Sequence, residues 1–169
     1  MTTLDSLARP RSTLPAALRR ANALVAGVPP SLVALVARFS LAATFWKSGQ
    51  TKVQGFAIDL VEGRFELGLP RFADQTIDLF RDEYRLPLLS PEVAALAATA
   101  AEHVLPVLLL VGLATRLSAT ALLVMTLVIQ IFVYPGAYAT HGVWAAALLT
   151  LMAYGPGRFS LDHAFARRG

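Results

Sequence analysis

Four stretches of mainly apolar residues, each about as long as a membrane is thick, constrain this 169-residue chain more than any other feature. A helix of about 20 residues crosses the hydrocarbon core of a bilayer. The stretches predict transmembrane spans at about residues 31–49, 93–113, 117–134 and 137–155. The fourth is the least regular, because its clean apolar run, 143–154, must be extended past Thr140 and His141 to reach the length of a span.

The composition excludes a small soluble domain. Hydrophobic residues make up 56% of the chain and charged residues 15%, and the mean hydropathy is +0.57. Soluble domains are about 45–50% apolar, and a domain this small keeps a large share of its surface in water. The sequence has no cysteine, which excludes disulfides, thiolate metal ligands and thiol catalysis by this chain. Basic residues flank the apolar spans rather than forming a polar basic patch, so no nucleic-acid partner is expected.

The expected fold is all-α: a polytopic membrane protein whose four-transmembrane-helix bundle occupies residues 31–157, with short amphipathic helices at the membrane interface. The N-terminal segment, 1–30, contains one candidate amphipathic helix, and a disordered tail is the alternative there. Residues 50–91 are the longest polar segment and predict an extramembrane loop with an interfacial helix over 73–84. The remaining residues, 158–169, predict a short amphipathic tail.

Basic residues set the predicted orientation. The N-terminal segment, the turn after the second span and the C-terminal tail contain eight of them: Arg9, Arg11, Arg19, Arg20, Arg116, Arg158, Arg167 and Arg168. Lys and Arg are enriched in the cytoplasmic loops of membrane proteins. The pattern therefore predicts a multi-pass protein of the cell inner (plasma) membrane, with both termini in the cytoplasm and the long loop outside.

Four polar residues interrupt the predicted spans: Arg38, Glu102, His103 and Gln130. A charge in the membrane interior costs about 2.5–3.5 kcal/mol even on a lenient scale, so it usually has a partner in the bundle. Arg38 lies about 10 Å from the inner face and Glu102 about 16 Å from the outer face, which predicts an Arg38–Glu102 pair. Such a pair either fixes helix register and packing, or it carries protons or orients a quinone; the alternative is that the two residues do not pair directly. Gln130 either extends this polar network or makes a hydrogen bond between helices.

Histidine offers little support for a metal site. The three histidines, at 103, 141 and 163, are predicted at three different depths, whereas zinc and haem need converging ligands. No metal is therefore expected. Lys47 and Lys52 flank the outer end of the first span, where they either snorkel to the interface or bind an anionic headgroup or substrate. The sequence has no nucleotide-binding glycine loop, catalytic triad or HExxH motif, so whether the chain is catalytic stays open.

Several of these residues, in this order along the chain, resemble the DoxX family of small four-helix membrane proteins. Arg38 is followed by a Ser-Gly-x-x-Lys pattern, and the segment 79–91 is similar to the one that precedes the second span in many members. The resemblance covers about residues 31–165. Its matched positions outside the polar core are Ser48, Gly49, Lys52, Pro106, Gly112, Arg116, Gly155, Pro156, Gly157, Ser160 and Asp162.

The resemblance implies a four-helix bundle and a link to quinone, sulfur or oxidative-stress chemistry, because the family is named after a subunit of a membrane thiosulfate:quinone oxidoreductase. It implies no catalytic residue. The expected role is a subunit or membrane anchor of a redox system, with the lipid bilayer and other subunits as partners and a quinone as the one suggested cofactor.

Two other classes of function stay open. A small-molecule transporter would need a polar path across the bundle. A non-catalytic scaffold would depend on surface residues such as Arg81 and Asp82. The alanine-rich face of the second span would allow close packing within the chain or in a homo-oligomer.

Overall fold

A computed structural model of the chain describes residues 15–59 and 62–168. In these ranges the chain forms seven α-helices, a short 3-10 helix at Pro135–Ala137 and one β-hairpin. Their bounds are α1 Ala16–Ala26, α2 Pro30–Gln50, β1 Val53–Asp59, β2 Arg64–Phe72, α3 Thr76–Asp78 with a π-helical continuation Leu79–Tyr84, α4 Pro91–Val111, α5 Thr115–Val128 with a π-helical continuation Ile129–Val133, α6 Tyr138–Tyr154 and α7 Leu161–Ala166. The fold is mostly helical, as predicted.

Helices α2, α4, α5 and α6 pack into one bundle. Helix α2 contacts α4 and α6, and α5 contacts the same two helices. The packed centre is apolar and includes Leu41, Phe45, Leu109, Leu122 and Leu148, all of which are buried. The outward faces remain rich in exposed apolar side chains, as is expected where the surrounding solvent is lipid.

The described helices differ in how well each one satisfies the requirements of a span. Helix α4 and the continuous helix Thr115–Val133 are long and apolar enough to cross a membrane on their own. Helices α1 and α2 meet the same test together, with a bend of 57° between them. Helix α6 has 17 residues, about 26 Å at the rise of an α-helix, which is slightly less than the hydrocarbon thickness of about 30 Å.

The long polar segment contains a β-hairpin that the all-α prediction omitted. Strands β1 and β2 pair antiparallel, with Phe56 opposite Leu67 and Ile58 opposite Phe65. Apolar and polar residues alternate along β2, and such alternation favours a strand with one apolar face. The prediction missed it because the strands stand alone as a pair, and such a pair is marginally stable unless it packs against another element. Here β1 packs against α2.

The predicted interfacial helix is present in shorter form. It begins at Thr76 rather than at residue 73, and its second half is π-helical. Ile77, Phe80 and Tyr84 share the face that packs on α4, where Ala94 and Ala95 are buried. The helix in the N-terminal segment is also present as α1, which begins at Ala16. The first 14 residues of that segment lie outside the described residues.

Candidate functional site

Arg38 does not contact Glu102, so the predicted pair is wrong. The Arg38 side chain is buried, at 2% exposure. Its guanidinium donates four hydrogen bonds of 2.7–2.8 Å to backbone carbonyls, those of Leu109, Leu110, Pro156 and Phe159. The last carbonyls of a helix lack partners within the helix and carry its negative dipole end. Arg38 therefore neutralises and closes the C-terminus of α4, and it ties the C-terminal segment to the bundle.

Gly112 ends α4 in a conformation that this arginine requires. Its φ is +71°, in the left-handed region, and an added Cβ would lie 2.9 Å from the Arg38 guanidinium carbon and 2.5 Å from the Cβ of Ser160. A side chain at this position would therefore be strained and would displace Arg38. The turn depends on glycine both for its backbone angle and for its space.

Asp162 caps the start of α5 from across the chain. Its two carboxylate oxygens accept hydrogen bonds from the backbone N–H groups of Ala114 at 2.8 Å and Thr115 at 2.9 Å. Burial acts to raise the pKa of Asp162, but the hydrogen bonds from Thr115 and Ala114 and the charge of Arg38 outweigh it, so the pKa lies below its usual value. The carboxylate thus replaces a local N-cap at the positive end of a helix.

The other C-terminal positions of the resemblance meet in the same place. Gly157 lies against the backbone of Ser31, and Ser160 accepts a hydrogen bond from the His163 N–H at 3.2 Å, which caps α7. The Arg116 guanidinium lies beside Gly155. We call Arg38, Gly112, Pro156, Ser160 and Asp162 the Arg38 cluster. Its contacts are to the chain's own backbone, which indicates a structural role.

Glu102 has a different partner, Lys52. Both residues are 3% exposed, and the Lys52 Nζ atom lies 2.8 Å from Oε2 and 3.1 Å from Oε1 of Glu102. The Ser48 hydroxyl donates a further hydrogen bond of 2.9 Å to Oε1. Among the described residues, Oε2 accepts no well-aligned hydrogen bond, in spite of its short distance to the ammonium group. The arrangement is a buried ion pair with one hydroxyl donor.

The axial offset between α2 and α4 explains why the pairing prediction failed. The prediction assumes that α2 begins at one membrane face and α4 at the other, and it derives the depths of Arg38 and Glu102 from these starts. In the structure, Glu102 in the middle of α4 lies level with Ser48 and Gly49 at the end of α2. Gly49 allows this approach, because an added Cβ would be 3.0 Å from the Cβ of Glu102 and 2.9 Å from the His103 ring. The Ser48–Lys52 spacing of four residues, which places both on one helical face, was the available signal.

The ion pair borders a cavity of about 160 Å³ between the bundle and α3. Ser48, Lys52 and Glu102 supply its charged and polar wall, and other walls are aromatic: Phe45, Phe80, Tyr84, Tyr134 and Trp144. His141 also lines it. We call this space the Glu102 cavity.

His141 lines the Glu102 cavity, and Gln130 holds its ring. The Nδ1 atom of His141 lies 2.8 Å from the Gln130 Oε1 atom, and the Gln130 amide nitrogen donates to the Pro135 carbonyl at 2.6 Å. An amide oxygen only accepts, so Nδ1 holds the proton and Nε2 is the basic nitrogen. Gln130 thus reaches the cavity through His141 rather than by contacting Glu102. Sequence reasoning placed His141 at a different depth from Glu102 and did not anticipate its place in this cavity.

Two tyrosines connect the Glu102 cavity to the loop side of the bundle. The Tyr134 hydroxyl donates to the carboxylate of Glu83, which is exposed. The Tyr84 and Tyr134 rings meet edge to face. Burial raises the pKa of the Tyr84 phenol above its usual value, and the nearby carboxylates of Glu102 and Glu83 act in the same direction. The Tyr84 phenol is therefore neutral at physiological pH and its O–H can serve as a hydrogen-bond donor, whereas the single hydroxyl proton of Tyr134 is already donated to Glu83.

His103 has a structural position. Its Nδ1 atom donates to the Thr99 carbonyl at 2.8 Å, so its Nε2 atom accepts from the Gln50 side-chain amide at 3.0 Å. The Gln50 Oε1 atom in turn accepts from the Ile58 N–H at 2.8 Å. The ring also contacts Trp46 edge to face. His103 therefore fastens the hairpin to α2 and α4. In the parts of the chain that the structure describes, no group of three His, Asp or Glu side chains is placed to hold a metal ion.

These elements define a helical membrane protein with a buried ion pair beside an aromatic cavity. A sequence model of the DoxX family matches residues 33–135, which is more than half of the chain, and this protein belongs to that family. The match includes the Lys52–Glu102 pair and most of the Glu102 cavity, though not His141 and Trp144, and it includes Arg38 and Gly112 of the Arg38 cluster. Neither the curated proteins nor the solved structures include a significant match.

Proposed function

We propose that this DoxX protein is the membrane subunit or anchor of a redox system and that the Glu102 cavity binds a quinone ring. The observation that carries the proposal is the buried Lys52–Glu102 pair at the wall of a cavity with aromatic sides. An apolar cavity of about 150 Å³ in another protein holds benzene. The volume here, about 160 Å³, suits a ring of that size.

The cavity offers the groups that quinone chemistry needs. A quinone takes up two electrons and two protons to become a quinol, and its carbonyl oxygens accept hydrogen bonds. Lys52 and the Tyr84 hydroxyl can donate to those oxygens, and the basic Nε2 atom of His141 can accept from a quinol hydroxyl. The sequence contains no cysteine to relay electrons. We therefore assign the delivery of electrons to a partner subunit.

The proposed topology follows the bundle. We place all four helices α2, α4, α5 and α6 across the inner membrane, with both termini cytoplasmic and the hairpin outside. Support comes from the packing of α2 and α6 against the two helices that meet the length and hydropathy requirements, and from the basic residues at the ends. The Glu102 cavity then lies near the outer side and the Arg38 cluster near the cytoplasm.

The layer between the two clusters favours a binding site over a transport path. On α2, Leu41 and Phe45 separate Arg38 from Ser48, and on α4 Leu109 lies beyond Glu102. These three side chains are buried in the apolar core. A polar solute leaving the cavity would have to cross this core, at the cost of losing its hydrogen bonds.

Quinone binding can be tested with intrinsic fluorescence, because the sequence has two tryptophans. Trp46→Phe leaves Trp144, which lines the Glu102 cavity. Trp144→Phe leaves Trp46, outside it. We expect a short-chain quinone to quench Trp144 fluorescence saturably in the purified protein, with weaker binding after Glu102→Gln. Equal, non-saturating quenching of both tryptophans would mean simple partitioning into detergent and would contradict the site.

The subunit role needs its own experiment. Affinity purification of the tagged protein from its native membranes in mild detergent should recover a redox enzyme in stoichiometric amount. Recovery of the chain alone would contradict the subunit role. It would leave the quinone site to be judged by the fluorescence titration.

A further inference from the structure

A second, larger concavity lies on the opposite side of α2. It has a volume of about 440 Å³ and runs between α2, α4 and the end of β1. Its walls are almost entirely apolar and include Phe39, Ala43, Trp46, Pro106, Val107 and Leu110. We call it the α2–α4 groove. Its volume lies within the range of about 300–1,000 Å³ that is usual for small-molecule sites.

Small side chains and the hairpin together create the α2–α4 groove. Ala42 and Ala43 leave room on α2 opposite Pro106. The hairpin closes one end, because the Trp46 indole N–H donates to the Ile58 carbonyl at 2.9 Å and Gln50 accepts from the Ile58 N–H. Two hydrogen bonds between the hairpin and α2 therefore fix the closed end of the groove.

The dimensions of the groove match one leaflet of a bilayer. From Phe39 to Gln50 the groove follows 12 residues of α2, and the 11 rises between them span about 16 Å. This is about half of the hydrocarbon thickness of about 30 Å. At its open side it continues into exposed apolar residues of the same helices, such as Val36 and Val111. An acyl chain in the adjacent leaflet can enter it without crossing a polar surface.

The charged groups lie at the hairpin end. Lys47 and Asp59 line this end of the groove, and the Glu62 carboxylate is 3.9 Å from the Lys47 ammonium. Lys47 and Glu62 are mostly exposed, so both can contact a headgroup. One cation beside two carboxylates complements a headgroup that has a phosphate and an ammonium group. It does not complement a purely anionic headgroup.

We propose that the α2–α4 groove binds one phospholipid with an ethanolamine headgroup. One acyl chain fills the groove, the phosphate contacts Lys47, and the primary ammonium contacts Asp59 and Glu62. The lipid covers the apolar gap beside Pro106 and lies on the far side of α2 from the Glu102 cavity. This site is independent of quinone binding.

The test uses Trp46 as the reporter in the Trp144→Phe protein. The protein is reconstituted in bilayers that contain a small fraction of lipid with brominated acyl chains, which quench tryptophan on contact. The headgroup of the brominated lipid is ethanolamine, choline or glycerol. We expect ethanolamine lipid to quench Trp46 well beyond its share of the bilayer. Glu62→Gln removes one of the two carboxylates that contact the ammonium group, and it should reduce the preference for ethanolamine over glycerol by up to about fivefold, the range of an exposed ion pair.

Ala43→Phe provides the decisive comparison, because Ala43 is exposed in the groove and a larger side chain there fills it. The excess quenching should disappear. Val33→Phe is the matched control, since Val33 is exposed on the same helix outside the groove, and it should leave the excess unchanged. Quenching that follows the bulk lipid fraction in every variant would overturn the proposal. Native mass spectrometry that finds an isoprenoid chain in place of the phospholipid would also overturn it.

Discussion

Replacing Lys52 with methionine removes the ammonium group that faces Glu102 but keeps an unbranched side chain of similar length. Both members of the ion pair have side chains that are 4% exposed, so the value of about 0–1 kcal/mol for surface pairs does not apply. Removing one partner of a buried pair costs about 3–5 kcal/mol, because it leaves an uncompensated charge. The Ser48 hydroxyl still donates to Glu102, so the lower end of this range, about 3 kcal/mol, is expected.

The double variant Lys52→Met/Glu102→Leu should behave differently. It leaves no buried charge, and well-packed apolar replacements of buried pairs are often neutral or stabilising. The Ser48 hydroxyl loses its acceptor, at a cost of about 1–2 kcal/mol. The single variants Lys52→Met and Glu102→Leu should together cost about 6–8 kcal/mol, whereas the double variant should lie within about 2 kcal/mol of the wild type.

The free energy of unfolding in bicelles, measured by steric trapping, checks this double-mutant cycle. Lys47→Met is the control, because the Lys47 side chain is 74% exposed and its loss should change stability by no more than about 0.5 kcal/mol. A double variant as unstable as the sum of the two single variants would refute the reasoning. The two residues would then act independently, and their proximity would contribute nothing to stability.

Three further predictions concern the Arg38 cluster, and each is read from the same unfolding measurement. Arg38→Lys should destabilise the protein by about 2–4 kcal/mol, because an ammonium group has at most three donors for four carbonyls and leaves at least one unpaired; wild-type stability would contradict the bonding described. Gly112→Ala should destabilise the protein by about 1–3 kcal/mol, because the φ of Gly112 is +71°. Gly136→Ala is the control, because an added Cβ there meets nothing within 4 Å, and it should cost less than about 1 kcal/mol. The pKa of Asp162 is lowered in the folded protein, so the stabilisation that its carboxylate contributes is fully present above the ordinary aspartate pKa and is lost as the pH falls through the lower folded value. Asp162→Asn should remove this part of the acid dependence of the unfolding free energy. An unchanged profile of unfolding free energy against pH would contradict the prediction.

The two clusters divide the family-like positions between different tasks. The polar groups of the Arg38 cluster form hydrogen bonds with the chain's own backbone, at the end of α4 and the start of α5. The Glu102 cavity keeps an ion pair, an imidazole and two phenols beside empty space. Perturbation of the first should lower stability. A substitution in the second that keeps the ion pair intact, such as Tyr84→Phe, should mainly change ligand binding.

Local patterns in the sequence determined the helices and several of their ends. The apolar stretches located α2, α4, α5 and α6 to within a few residues, and the interfacial helix predicted over 73–84 is present from Thr76 to Tyr84. Ile77, Phe80 and Tyr84, three and four residues apart, share its buried face. Such features depend on residues three or four apart, and helix geometry makes that spacing readable without any knowledge of the fold.

Only the tertiary structure decided which polar groups meet. Glu102 pairs with Lys52 because α4 extends past the end of α2, an offset that no count along a single helix reveals. His141 reaches the Glu102 cavity because α6 packs beside α5, and the hairpin is positioned by α2 and His103. Periodicity along a chain reports which face of a helix is buried. The relative height of two helices depends on side chains far apart in sequence, such as Gly49 against Glu102, and it becomes visible only when the helices are packed.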